Sequence, residues 1–224
     1  MTMKPVIYLI PVLIVSVSFL IAWELSGNRR NIFFIKPIST ILVILAALLS
    51  FQEATLHTTY SIGVITGLVF SLGGDVALMF QEDKKAFRLG LVLFLLAHIV
   101  YTAIFTIIGQ FSGLSAICAL VMLLSGLGIY RLIQSKLGNM KVPVIAYIVI
   151  ISLMVIQSVS VFANPDISDF HGTMMVIGAI LFYISDVILA ANRFWRPWKY
   201  NRISLTFYYS GQMLIALAAS YFVR

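Results

Sequence analysis

Charge is scarce in this chain of 224 residues. Asp, Glu, Lys and Arg make up only 10% of it, whereas soluble domains are nearer a quarter charged. That scarcity excludes an ordinary soluble domain. Cysteine is scarcer still: Cys118 stands alone, so no intrachain disulfide can form. The three histidines and eight acids never fall into a ligand-spaced cluster, so neither a metal nor another cofactor is expected. No low-complexity linker and no long polar stretch interrupts the chain, which excludes a separate extramembrane domain. A single integral membrane domain over residues 1–224 is expected.

What the chain does have is apolar length. Hydrophobic residues account for 61% of it and its mean hydropathy is +1.04. Eight apolar runs stand out: Pro5–Trp23, Ile32–Phe51, Thr59–Phe80, Ala86–Ile108, Gly113–Ile133, Val142–Phe162, Gly172–Ala191 and Ile203–Phe222. Each holds about 20 residues, which at a rise of about 1.5 Å per residue spans roughly 30 Å of hydrocarbon. The fold class is therefore all-α, a polytopic membrane bundle of eight transmembrane helices. The first run is longer than a signal-peptide core and lacks a small-residue cleavage site, so it is expected to be retained. Pro37 either opens the second helix or kinks a continuous one.

The net charge of +7 would suggest a nucleic-acid partner in a soluble protein. Here the basic residues sort by loop instead, and no nucleic acid is expected. Arg29 and Arg30 lie in the first loop; Lys84, Lys85 and Arg88 in or beside the third; Arg131, Lys136 and Lys141 at the fifth; Arg193, Arg196, Lys199 and Arg202 at the seventh. The even loops hold Glu53, Asp166 and Asp169 with His57 and His171, and no Lys or Arg. By the positive-inside rule the odd loops face the cytoplasm and both termini lie outside. The expected location is the cell membrane.

Two acids defy the apolar pattern. "LVFSLGGDVALMF" carries Asp75 and "LFYISDVILAANRF" carries Asp186, each about 9–11 Å below the basic boundary. They stand 111 residues apart, and at that interval Gly67 meets Gly178, Val76 meets Val187 and Leu78 meets Leu189. Parallel repeats over 1–111 and 112–224, or coincidence in apolar sequence, both account for this. Intramembrane charges usually face the bundle interior or a wet cavity. Helical spacing agrees: Gly63, Gly67, Ser71 and Asp75 share one face, as do Gly178, Phe182 and Asp186. Leu91, Phe94, His98 and Tyr101 share a third, and Tyr208 and Gln212 a fourth. With Lys36, Ser39, Tyr147 and Asn192, these polar groups are expected to surround a lipid-accessible hollow shared by both acids. The plainer alternative is that Asp75 and Asp186 only pair with Lys36 and Arg193 to fix helix register.

Two neighbouring buried carboxyls are expected to share one proton, so that one donates and the other positions or deprotonates water. This suits acid-catalysed hydrolysis through an oxocarbenium-like species and needs no serine or cysteine nucleophile. It suits a proton-coupled solute transporter equally well, and a non-enzymatic lipid-binding protein also fits.

The segments "KPIST", "GLVFSLGGDVALM", "FRLGLVLFLLAHIVY", "PVIAYIVIISLM", "GAILFYISDVILAANRF" and "YYSGQMLIA" resemble the YhhN-type lysoplasmalogenase family of membrane proteins. The likeness runs from the second span to the eighth and is most specific at the two aspartate segments and the trailing Asn-Arg-Phe. It implies eight spans and an ether hydrolase that cleaves the vinyl ether of lysoplasmalogens to a fatty aldehyde and a glycerophospho-alcohol. The substrate partner would be a lysophospholipid, and the family's acidic residues would fall on Asp75 and Asp186. Lys36 would then meet the phosphate.

Overall fold

The computed structural model describes residues 5–49 and 58–219; Lys4, Glu53, His57 and Arg224 lie outside the described residues. Eight α-helices follow one another: α1 Leu9–Ser26, α2 Arg29–Leu49, α3 Thr58–Leu78, α4 Lys84–Ile108, α5 Gly113–Ile133, α6 Lys141–Phe162, α7 Asp169–Phe194 and α8 Ser204–Ala218. A 3₁₀ turn, Pro5–Tyr8, leads into α1. There is no strand among the described residues. Among the described residues, seven helices are long and apolar enough to cross a membrane. The eighth is described over 15 residues only, and the rest of the run expected to reach Phe222 lies outside the described residues.

Local chemistry sets the helix ends. Gly27 closes α1 at φ 71° and returns its N–H to the Trp23 carbonyl, a left-handed stop that glycine adopts without steric cost. Asp83 caps α4 by accepting from the N–H groups of Lys85 and Ala86, and Ser112 and Ser115 form a reciprocal capping box on α5. Pro37 lies inside α2, which starts at Arg29 and runs on as one helix.

Contacts between loops place the two ends of the bundle. Arg29 pairs with Glu82, Arg202 with Glu24 at 3.1 Å, and Lys136 Nζ donates to the Trp195 carbonyl at 2.6 Å. The four odd loops therefore share one basic end. At the opposite end, Gln110 N–H donates to Ser160 O and Asn164 Nδ2 to Ile108 O, both at 2.8 Å.

Helices α2, α3, α4, α6, α7 and α8 pack in a closed ring, each against the next and α8 back on α2. Outside the ring, α1 lies on α2 and α5 on α6. The two broadest contacts, α3 with α4 and α7 with α8, run along small residues. A Cβ on Gly67 would lie 2.4 Å from the Tyr101 ring, and one on Gly211 would lie 2.6 Å from the Gly178 carbonyl. Only glycine lets these backbones come so close. Helix α5 is the least covered, with Ile117, Leu120 and Leu124 exposed, as a lipid-facing helix should be.

Candidate active site

Asp75, in the last turn of α3, is 2% exposed. Thr40 of α2 and Tyr208 of α8 each donate an O–H to its Oδ2 at 2.7 Å. Lys36 of α2 places its ammonium 3.5 Å from Oδ1 and is itself buried. The carboxyl therefore faces two hydroxyl donors and a cation, an arrangement for accepting rather than giving. Tyr209 completes the enclosure by donating to the Lys36 carbonyl at 3.1 Å.

Asp186 has different company. Tyr147 of α6 donates its O–H to Oδ2 at 2.5 Å, and the fully buried His98 of α4 brings Nε2 to 3.6 Å of the same oxygen. Its side chain keeps 12% exposure and opens onto a cleft among α4, α5, α6 and α7. The wall of that cleft is otherwise apolar for most of its length, with Leu91, Ile129, Val144, Ile148, Ile151 and Ala190 contributing. The cleft is narrow, with a cavity volume of about 50 Å³. At the basic end Phe87, Arg193 and Phe194 form its rim.

The single hollow expected for both acids is thus divided. Asp186 lines the cleft and Asp75 does not. Aromatic rings fill the interval: Tyr208, which holds Asp75, packs edge-on against Phe182 at 5.2 Å, and Phe182 lies 4.5 Å from the His98 ring beside Asp186. Phe94 packs against both Tyr208 and Phe182.

The remaining expected residues separate into those at the acids and those elsewhere. Lys36, Tyr208, Tyr147 and His98 touch an acid. Ser39 instead shares a 2.8 Å hydrogen bond with Ser16, joining α1 to α2. Gln212 accepts from Tyr101 O–H at 2.9 Å, tying α8 to α4. Ser71 is buried on α3, and Asn192 accepts from the Trp198 N–H at 2.8 Å, folding the following loop back on α7. Helix α7 continues past Asn192 to Phe194. Arg193 lies over the Phe87 ring at 4.4 Å, so Asp186 has partners other than the arginine offered by the plainer alternative. Thr40 joins Lys36 and Tyr208 as a direct partner of Asp75. It lies four residues after Lys36 and hence on the same helical face.

Both sites are built alike. Asp75 takes a partner from the helix before it, α2, and one from α8; Asp186 takes one from the helix before it, α6, and one from α4. Lys36 and Tyr147 are separated by 111 residues, as are Asp75 and Asp186, and as are the hydrogen-bonded Tyr101 and Gln212. Among the described residues no group of three or more His, Cys, Asp and Glu could hold a metal ion.

These features define a helical membrane protein with one buried and one half-buried carboxyl near one basic end, the second of them open to an apolar cleft. The chain belongs to the YhhN family, whose model matches residues 31–219. It is 32% identical to lysoplasmalogenase TMEM86A of Bos taurus over 161 residues, covering 70% of this chain and 64% of that protein. Identity to lysoplasmalogenase TMEM86A of Homo sapiens is 33% over 160 residues, with the same coverage. Identity to lysoplasmalogenase TMEM86B of Sus scrofa is 30% over 163 residues, covering 72% of this chain and 65% of that protein. The chain therefore spans a little under two thirds of the length of these relatives. No solved structure matches it.

Proposed function

We propose that the protein is a multi-pass hydrolase of the cell membrane that cleaves the vinyl ether bond of lysoplasmalogens, working from the cytoplasmic side. One observation carries the reading. A carboxyl flanked by a tyrosine hydroxyl and an imidazole lies on the wall of an apolar cleft, with one cation, Arg193, at its rim. Relatives that bear the name lysoplasmalogenase support it.

The chemistry follows from that placement. The alkenyl chain lies along the apolar wall, which sets the vinyl ether beside Asp186. The protonated carboxyl gives its proton to the β-carbon, and the double-bond electron pair forms the new C–H bond, leaving an oxocarbenium ion at the α-carbon. Water adds at the α-carbon and loses a proton to the carboxylate of Asp186. The hemiacetal then breaks its C–O bond to the glycerol as the protonated Asp186 gives its proton to the glycerol oxygen, the hemiacetal hydroxyl returns its own proton to the carboxylate, and aldehyde and glycerophospho-alcohol separate. Tyr147 orients the carboxyl, and His98 is placed to hold or relay the proton of the attacking water. Asp75 acts as a positioning residue: through Lys36, Thr40 and Tyr208 it holds α2, α3 and α8 behind the aromatic wall. The paired 111-residue intervals support reading 1–111 and 112–224 as two parallel repeats with both termini outside, of which the second has kept its acid open.

The test is aldehyde release from a 1-alkenyl lysophospholipid by the purified protein, compared with Asp186→Asn and Asp75→Asn. Release by wild type and its loss in Asp186→Asn are expected. Release by Asp186→Asn at the wild-type rate would remove Asp186 from the mechanism, and no release by folded wild type would remove the reaction.

A further inference from the structure

Next to the Asp186 cleft, at the basic end, lies a second and wider one with a cavity volume of about 360 Å³. The two share Phe87, Arg193 and Phe194, so they adjoin one another. The wall of the second carries Lys84, Arg88, Lys136 and Arg193, and no carboxylate.

The contrast with the cleft on the other side of Arg193 is informative. That neighbour also bears arginines, but Glu82 and Glu24 pair with its Arg29 and Arg202. Lys36, the other candidate cation, is buried against Asp75. Among the described residues, none of Lys84, Arg88, Lys136 and Arg193 is ion-paired with a carboxylate. Four exposed cations lining one cleft without a counter-charge repel one another, and an anion seated among them relieves that repulsion. Two are held in place: Arg193 stacks on Phe87, and Lys136 is tied to the Trp195 carbonyl.

We infer that Lys84, Arg88, Lys136 and Arg193 form the binding site for the phosphate of a single-chain ether lipid whose tail occupies the Asp186 cleft. The inference rests on the reading of that cleft as the lysolipid site. The spacing agrees with it. Asp186 and Arg193 are two turns apart on one face of α7, about 10 Å along the axis. In a lysoplasmalogen seven bonds separate the vinyl β-carbon from phosphorus, roughly 9 Å when extended. A guanidinium at Arg193 also matches phosphate oxygens in a bidentate fork. Four cations around one phosphodiester leave spare positive charge, so a head group with an added anionic group would bind at least as well as ethanolamine.

The experiment measures equilibrium binding to the full chain in nanodiscs of zwitterionic phospholipid. The probes are a 1-O-alkyl lysophosphatidylethanolamine, which has no vinyl ether to cleave, the matching 1-O-alkylglycerol, which has no phosphate, and inorganic phosphate as competitor. Arg193→Gln with Lys136→Gln should weaken binding of the phosphorylated ether about tenfold and leave the alkylglycerol unchanged. Arg193→Lys should recover part of that loss. Neutralising Arg131 and Lys199, basic residues away from both clefts, should change neither ligand. Equal weakening for both ligands, the same loss from the Arg131 and Lys199 variant, no loss at all, or no binding of the phosphorylated ether by wild type would each overturn the inference. Displacement by inorganic phosphate alone as effective as by the lipid would make this a free-phosphate site and overturn it as well. Because the alkyl ether is not cleaved, a protein that binds it in this way yet releases no aldehyde refutes the hydrolase reading and keeps the subsite.

Discussion

Asp75 and Asp186 hold matching places in the chain, one near the end of α3 and the other in the last third of α7, each gripped by the preceding helix and by a helix from the other half. Their surroundings nonetheless differ in kind. Asp75 is enclosed by a lysine and two hydroxyls; Asp186 has one hydroxyl, an imidazole and an open apolar wall. At the position where the first half has Lys36, the second has Tyr147. A lysine at that position supplies a counter-charge and closes the site. A tyrosine supplies one directional hydrogen bond and leaves the carboxyl's other oxygen free. The same framework thus encloses one acid and leaves the other on the wall of an open cleft.

The largest effect that would sharpen this contrast concerns turnover. Asp186→Asn should lower kcat for aldehyde release by about 10²-fold or more, the scale of losing a general acid or base, with thermal unfolding close to wild type. Asp75→Asn should instead lower unfolding temperature and activity together. An Asp75→Asn protein as stable as wild type yet inactive would break the comparison, because Asp75 would then have to reach the reacting atoms.

Stability gives the next effect. Lys36→Met leaves Asp75 without its cation, and stranding one member of a buried pair costs about 3–5 kcal/mol. Combining Lys36→Met with Asp75→Asn should recover much of that loss, as expected for two residues in direct contact. Unfolding in detergent followed for the single and double variants gives the coupling, and additive losses would mean that the 3.5 Å approach contributes nothing.

A smaller effect is expected at Tyr147. Tyr147→Phe keeps the ring against His98, 5.3 Å away, and removes only the O–H donated to Asp186. A hydrogen bond to a charged group contributes about 1.5–3 kcal/mol, so cleavage should slow by at least tenfold with little change in KM. A rise in KM with kcat unchanged would mean that Tyr147 contacts the lipid instead of orienting the acid.

Much of this was legible in the sequence. Hydropathy located all eight helices, and the sorting of Lys and Arg by loop agrees with a basic end where loops touch through Arg29–Glu82 and Arg202–Glu24. The two acids stood out because a carboxyl in an apolar run has few innocent explanations. Their separation did not. It depends on where the rings of Phe94, Phe182 and Tyr208 meet, and helical periodicity assigns a residue to a face without saying what fills the space opposite. For the same reason the sequence could assign Lys36 equally to a phosphate or to Asp75. Glu24 drew no attention at all, since an acid close to a helix end is ordinary until an arginine nearly 180 residues later is found against it.

Ser39 gives the smallest effect and a sharp check on that lesson. Its place on the polar side of α2, three residues after Lys36, made it a candidate for the acid site. In the fold it turns away, to Ser16 on α1 and to the Ile35 carbonyl at 2.9 Å. Helix α1 lies outside the ring that encloses the acids, so Ser39→Ala should leave aldehyde release unchanged while costing about 1 kcal/mol of stability, the usual size of a neutral hydrogen bond. Thr40→Val, one residue on, makes the matched comparison. It removes a donor from Asp75, and its stability cost should shrink when Asp75 is already asparagine, whereas that of Ser39→Ala should not. Equal coupling of both residues to Asp75 would show that α1 and α2 act as one unit around the first acid.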